Sequence, residues 1–420
     1  MKVVQILFVA ICFLSIMSCQ SDDDLDLGGN DIPDINNLPN QGNGNNGNGN
    51  NGNGNGNNNG NNNGNNVTAN DQVVDLGRLL FWDPIMSGEL DVACATCHHP
   101  SFGYADGRAL PIGVGGQGLG PSRFDATPDD IGLVPRNSPT IINTAFNGMN
   151  NGGNFNPATA PMFWDNRAQS LETQALLPLE SFEEMRGHAF GEAEAVATIV
   201  ERIRAINEYN TLFTNAFGAA NTVTADNIAF AIASFERTII ATNSPFDQFQ
   251  AGDQTALSQA AQRGMARFNQ IGCDDCHSGP MFSDFELHVV GVPDHDLLNE
   301  TDSGANGTYA FRTPTLRNLP QTGPYFHNGV GGDLEETVDF YRTARNFARN
   351  DGNGGGGNGL SVNDNVTRNQ IDNDVRNLNN FDNDDVEDIV AFIQALNDPN
   401  FDREIPASVP SGLNPGGNIN

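Results

Sequence analysis

One five-residue pattern occurs twice, as Cys94-Ala95-Thr96-Cys97-His98 and Cys273-Asp274-Asp275-Cys276-His277, and it holds four of the six cysteines in the sequence. Each pair of thiols is spaced to form thioethers to one porphyrin, and the adjoining histidine then reaches the iron as an axial ligand. A zinc site and a thioredoxin-like redox pair explain the pattern less well. Zinc ribbons usually set their cysteine pairs much closer together than Cys97 and Cys273, and neither alternative needs a histidine after both pairs. The two patterns therefore point to two covalently bound haem c groups.

The other two cysteines lie near the start of the chain. Lys2 precedes an apolar run from Val3 to Leu14 that is too short for a confident membrane span. Leu14-Ser15-Ile16-Met17-Ser18-Cys19 resembles a bacterial lipobox. Residues 1–18 then read as a removable lipoprotein signal peptide that takes Cys12 with it, and Cys19 as the lipidated residue. No thiol is left for a structural disulfide. The expectation is an exported lipoprotein, facing the periplasm or the surface on the outer membrane and attached only through its lipid. The acidic run Ser21-Asp22-Asp23-Asp24 resembles surface-export signals of some lipoproteins.

Residues 19–66 read as a tether, because residues 41–66 are almost pure Asn and Gly and offer no apolar side chains to bury. Such a tract spans roughly 30 Å as a flexible coil. The formal charge of −32 argues against nucleic acid and against docking on anionic lipid. A soluble redox partner would present a basic face.

Beyond the tether the recurring signal is the amphipathic helix, and period-two runs are scarce. Thr224 can cap a helix carrying Ile228, Ile232, Phe235 and Ile239, and Ser258 one carrying Ala261, Met265 and Phe268 into the second Cys-His pattern. Asp333 and Glu336 start another, with Leu334, Val338 and Tyr341 on one face, and Val386, Ile389, Val390, Ile393 and Leu396 mark a last one. The body is mainly α with long Gly-rich loops, among them 351–359.

Several further blocks resemble the bacterial di-haem cytochrome c peroxidase and MauG family from Leu76 to about Asp398. They are Leu76-Gly77-Arg78-Leu79-Leu80-Phe81-Trp82-Asp83-Pro84, Gly103-Tyr104-Ala105-Asp106-Gly107, Arg136-Asn137-Ser138-Pro139-Thr140 and Phe163-Trp164-Asp165-Asn166-Arg167-Ala168 in the first half. The second half has Thr313-Pro314-Thr315-Leu316-Arg317-Asn318 and Pro324-Tyr325-Phe326-His327-Asn328-Gly329, in the family's order. The resemblance implies two cytochrome c-like haem domains with long loops, a peroxidatic one over 67–247 and an electron-transfer one over 248–420.

It also implies roles. Many members cap the first iron with a histidine after an Ile-Gly pair, and Ile112-Gly113-Val114 has none. His99 adjoins the proximal ligand and cannot reach the opposite face, and His188 reads as a loop histidine. An iron held by His98 and open to peroxide is expected. Glu172 stands where the family has its catalytic glutamate, and it also suits the first turn of a helix behind Ser170. Met162 stands where the peroxidases often have Gln. Typical peroxidases ligate the second iron with Met fourteen residues past the histidine of the Pro-Tyr-Phe-His block; here that place is Tyr341, the ligand type of MauG-like members, and no Met follows Met281. Tyr341 also fits an apolar helical stripe. The family's single Ca2+ maps to Asn137, Thr322 and Pro324. His327 reads either as a neighbour of the second haem or as a hydrogen-bonding loop residue.

The activity so implied is reduction of hydrogen peroxide to water by electrons from a small cytochrome or other exported donor. The alternatives are a MauG-like oxidase acting on a protein or small molecule, and a non-enzymatic electron-transfer cytochrome.

Overall fold

The computed structural model describes residues 69–126, 130–351 and 359–420. The expected signal peptide, Cys19 and the tether lie outside these residues, as does the interior of the loop 351–359. Among the described residues the helices are α1 Ala69–Trp82, α2 Cys94–Cys97, α3 Leu171–Glu180, α4 Ala195–Arg204, α5 Asn207–Phe217, α6 Ala225–Glu236, α7 Pro245–Gln250, α8 Gln259–Ile271, α9 Leu334–Arg349, α10 Asn373–Asn377 and α11 Asn383–Gln394. Two small antiparallel hairpins join them, β1 Gly116–Gln117 with β2 Phe124–Asp125, and β3 Leu287–His288 with β4 Phe311–Arg312. The fold is mainly α, as the periodicity predicts.

Local signals set the helix starts. The hydroxyls of Ser170, Thr224 and Ser258 accept the amides of Thr173, Asn227 and Ala261, and the Asp333 carboxylate accepts that of Glu336 at 2.8 Å. One apolar core gathers Leu76, Leu80, Phe213, Ile228, Ile232 and Phe235 from α1, α5 and α6. The other gathers Phe268, Phe340, Ile389, Phe392 and Ile393 from α8, α9 and α11.

The two cores are copies of one plan. In each, a helix before the Cys-His pattern crosses a later helix at a glycine. A Cβ on Gly77 would lie 1.8 Å from the carbonyl oxygen of Ala231, and one on Gly264 would lie 1.8 Å from that of Asp388. In each, an asparagine with φ of 64° then locks the end of that later helix. Asn143 bonds both backbone groups of Ala241, and Asn318 those of Asp398. In each, a tight turn with a left-handed phenylalanine, Phe163 or Phe326, precedes a third helix, closed by the bridges Met162↔Ala168 and Tyr325↔Gly331. That register equates α3 with α9, residue 171 with 334 and residue 178 with 341.

The segment from Phe401 onward leaves the second core and packs on the first, with Phe401, Val409 and Ile419 against it. It is bolted to the first Cys-His pattern: the Thr96 hydroxyl donates to the Gly416 carbonyl at 2.9 Å, and the Gly416 amide donates to that of Trp82 at 2.7 Å. Arg78 pairs with Asp402 beside them.

The glycine crossings yield a stability prediction. Gly264→Ala forces α8 and α11 apart and lowers unfolding stability by roughly 1–3 kcal/mol, the range for overpacking a tight contact. Denaturant unfolding of the holoprotein checks this, and an unchanged midpoint would contradict the crossing geometry.

Candidate functional site

Both Cys-His patterns open on one cavity of about 2900 Å³, mouth included. Cys94, Cys97 and His98 line one end, and Cys273, Cys276 and His277 the other. All four thiols are free rather than disulfide-bonded, and burial holds each of them in the protonated form.

The histidines are oriented in the same way. His98 Nδ1 donates to the Tyr104 carbonyl and His277 Nδ1 to the Phe282 carbonyl, each at 3.1 Å. The residue before each acceptor is fixed in turn: Thr140 donates to the Gly103 carbonyl and Thr315 to that of Met281. Burial lowers the pKa of both imidazoles, which keeps them neutral as a metal ligand must be. With Nδ1 engaged, Nε2 is the nitrogen left for a metal.

These features fit a haem at each end. Paired reduced thiols supply thioethers, the neutral imidazoles supply axial nitrogens, and apolar walls supply packing. Arg136, Arg167 and Arg312 also line the cavity and would supply cations for the propionates of a porphyrin, Arg136 and Arg167 being paired with Asp165 as well.

On the third helix of each copy, the cavity face is Leu171, Gln174, Ala175 and Pro178 in α3, and Leu334, Thr337, Val338 and Tyr341 in α9. Tyr341 thus sits on the wall of the second chamber, and burial raises its phenol well above the usual range. Its counterpart Pro178 has no atom that can ligate a metal. Glu172 is placed differently. It is not among the wall residues, and its carboxylate takes both guanidinium arms of Arg237, at 2.6 and 2.9 Å. Sequence reasoning had no means of seeing a partner 65 positions away.

Val114, in the place of the absent capping histidine, is buried in the first core, and the Ile112 and Gly113 carbonyls are clamped by Arg123 at 2.7 Å each. His99 packs edge-on to Trp82. His188 bonds exposed Asp130 at 2.7 Å rather than facing the chamber. Asn137, Thr322 and Pro324 all line the cavity, and the Asn137 amide donates to the Arg108 carbonyl at 2.7 Å. Met162 also lines it, with its sulfur 3.5 Å from the Asn147 amide. His327 stacks on Phe311 at 3.6 Å between ring centres and is buried, which lowers its pKa to about 4.

Among the polar residues on the cavity wall that were not foreseen, three titratable ones stand out. Glu184 and Glu236 line the first chamber, and burial raises both carboxyls. A signal existed for Glu236, which falls at i+4 and i+8 from Ile232 and Ile228 on an otherwise apolar stripe. The third is His288, held between Asp284 at 3.0 Å and Asp372 at 2.8 Å. His288 also lies with Cys276 and Asp374 within reach of one another, but a sulfur committed to a thioether would not be available as a metal ligand.

A duplicated cytochrome c-like plan with a Cys-Cys-His set at each end of one apolar cavity defines a di-haem c-type cytochrome. A family profile described as di-haem cytochrome c peroxidase matches residues 71–255. Methylamine utilization protein MauG of Methylorubrum extorquens is 36% identical over 273 residues, covering 64% of this chain and 68% of that protein. Cytochrome c551 peroxidase of Pseudomonas aeruginosa is 33% identical over 281 residues, covering 64% and 71%. Among solved structures, a MauG-like protein associated with microbial copper homeostasis superposes with a TM-score of 0.59 at 25% identity, covering 78% of this chain and 90% of that one. The diheme peroxidase BthA of Burkholderia thailandensis shares the fold, with a TM-score of 0.60 at 20% identity over 81% and 89%. The chain belongs to the di-haem cytochrome c peroxidase and MauG family, oxidoreductases that carry two haem c groups.

The His288 clamp gives a pH prediction. Asp284, and with it Asp372, push the imidazole pKa up, and neither carboxylate is altered by joining the Cys276 sulfur to a haem. A pKa raised by folding stabilises fully below the unfolded value and loses that contribution as pH rises through the folded one. The stability advantage of wild type over His288→Gln is therefore greatest below about pH 6.5 and shrinks as pH rises above it. Denaturant midpoints of both holoproteins across that range test it, and a pH-independent gap would rule it out.

Proposed function

We propose that this protein is a di-haem peroxidase that reduces hydrogen peroxide to water with electrons from an exported donor such as a small cytochrome. One observation carries the reading, the inequality of Pro178 and Tyr341 at matched places on the two cavity walls. The haems, when bound, supply the redox chemistry. His98 and His277 would each hold a haem by the nitrogen left free by the Nδ1 bond to a carbonyl. In the first chamber α3 offers no ligand atom at Pro178, and Val114 is committed to core packing, so neither would block peroxide. In the second, Tyr341 would supply its phenolate oxygen. A phenolate is a hard anionic donor that favours an oxidised metal, and a phenol so buried would release its proton to solvent only where a cation meets its oxygen.

Glu172 is the family's catalytic carboxylate by position, and its proposed part is to take a proton from peroxide, although here it is ion-paired to Arg237. That use requires its side chain to turn from Arg237 toward the chamber. Asn137, Thr322 and Pro324 are the proposed calcium ligands, the Asn137 amide group being tied to Arg108 so that its oxygen is left for a cation. The first 18 residues serve as a lipoprotein signal and Cys19 as the anchor, with residues 19–66 holding the 67–247 and 248–420 haem domains off the outer membrane. Tyr341 also favours a second reading, a MauG-like oxidase that uses peroxide to oxidise a protein or small molecule.

Two measurements test these assignments. Mixing the fully ferric protein with peroxide in a stopped-flow instrument is expected to change the spectrum without prior reduction, and an inert ferric protein would defeat the open-iron reading. Tyr341→Phe is expected to abolish the low-spin EPR signal of the second haem, whereas an unaltered signal would remove Tyr341 as ligand. Steady-state turnover with reduced cytochrome against a redox dye then separates peroxidase from oxidase.

A further inference from the structure

The internal repeat isolates what the first chamber has and the second lacks. On α6 the cavity-facing residues are Ile232 and Glu236, and their counterparts on α11, set by the matched locks at Ala241 and Asp398, are Ile389 and Ile393. Glu236 is 5% exposed, and its Oε2 has no hydrogen-bond partner among the described residues. Burying a carboxyl with one oxygen unbonded is costly. Isoleucine at the same place in the other copy shows that the fold itself does not require a polar group there. A group retained against that cost, and aimed into the chamber, points to chemistry.

Its surroundings define its state. Arg237, next to it on α6, is turned to Glu172 of α3. Cys94 is near enough that charge on Glu236 raises the thiol's pKa, and Glu184, on the segment after α3, acts on the same thiol. Arg78 of α1 lies over Phe235 but is paired with Asp402. Burial, reinforced by the charge of Glu172 and opposed by that of Arg237, raises the Glu236 carboxyl to about 8. It is therefore the protonated acid at neutral pH, beside a carboxylate ion-paired to arginine. The two carboxyls sit in unequal environments, one unpaired and one bound to arginine, the arrangement that divides acid and base roles.

We propose that Glu236 is the proton donor of the first chamber. This rests on the peroxidase reading. Per peroxide, the O–O bond breaks, two electrons come from the exported one-electron donor, and two protons are taken up to give two waters. Glu236 gives one of those protons to the departing oxygen and is reprotonated from solvent. Arg237 acts as a positioning residue, binding Glu172 and leaving Glu236 unpaired.

The test uses the holoprotein and its variants Glu236→Gln and Glu236→Ile, the second copying the residue of the other chamber so that the wall stays packed. Haem content and ferric spectra establish that each is assembled. Infrared spectra of wild type at neutral pH are expected to show a protonated-carboxyl C=O stretch that fades as pH rises through about 8 and is missing from both variants, but retained in Glu172→Gln. The stopped-flow reaction with peroxide is expected to slow ~10²–10⁴-fold in both Glu236 variants, the usual worth of a general acid, and to lose its pH dependence near 8. A reactive wild type whose Glu236 variants keep the band, or react with peroxide as fast, overturns this proposal alone. A wild type inert to peroxide overturns the peroxidase reading and the donor role with it.

Discussion

The hydrogen bond from a histidine Nδ1 to a backbone carbonyl, made once in each half at 3.1 Å, is the contact on which the remaining site geometry turns. It chooses the tautomer, and so decides which nitrogen faces the cavity. It also has to be held rigid, because an imidazole that rotates would lose its aim. Thr140 and Thr315 do this by bonding the carbonyls just before Tyr104 and Phe282, and three residues on from each threonine an asparagine in left-handed backbone ties its segment to the chain just past α6 or α11. The long irregular connections are thus strapped at every turn to helices whose own spacing is fixed by the Gly77 and Gly264 crossings.

On that shared frame the two chambers diverge at few positions. Pro178 faces one and Tyr341 the other, and Glu236 faces one and Ile393 the other. A duplicated backbone makes such differences cheap to acquire, since the frame tolerates a change on the wall of one copy without altering the helix that carries it. On the matched helices the first chamber has Glu236, and the second is apolar apart from its phenol and a threonine, its titratable His288 and Asp374 lying on other segments.

Much of this plan was legible in the chain. Helix starts at Ser170, Thr224, Ser258 and Asp333 could be read because a cap is a local event, decided within three residues. The Cys-His patterns could be read for the same reason. The repeat could not, because it resides in backbone bonds and left-handed turns whose side chains differ between copies, Met162 against Tyr325 and Trp164 against His327. Glu172 looked like a wall residue until Arg237, far off in sequence, proved to hold it. Glu236 was passed over because a glutamate near a helix end is ordinarily a solvated one, and only its register with Ile228 and Ile232 said otherwise.

The return of the chain to its first core has a consequence for assembly. Thr96, between the first two thiols, is bonded to Gly416, 320 positions away. Contacts that distant close late in folding, since the loop between them must be ordered first. The core beneath the first Cys-His pattern therefore remains incomplete until the later half has folded and carried its trailing segment back across. That leaves an interval in which the thiols of the first site are less firmly held when the porphyrin is attached. It also means that an excised first half would lack part of its own core packing.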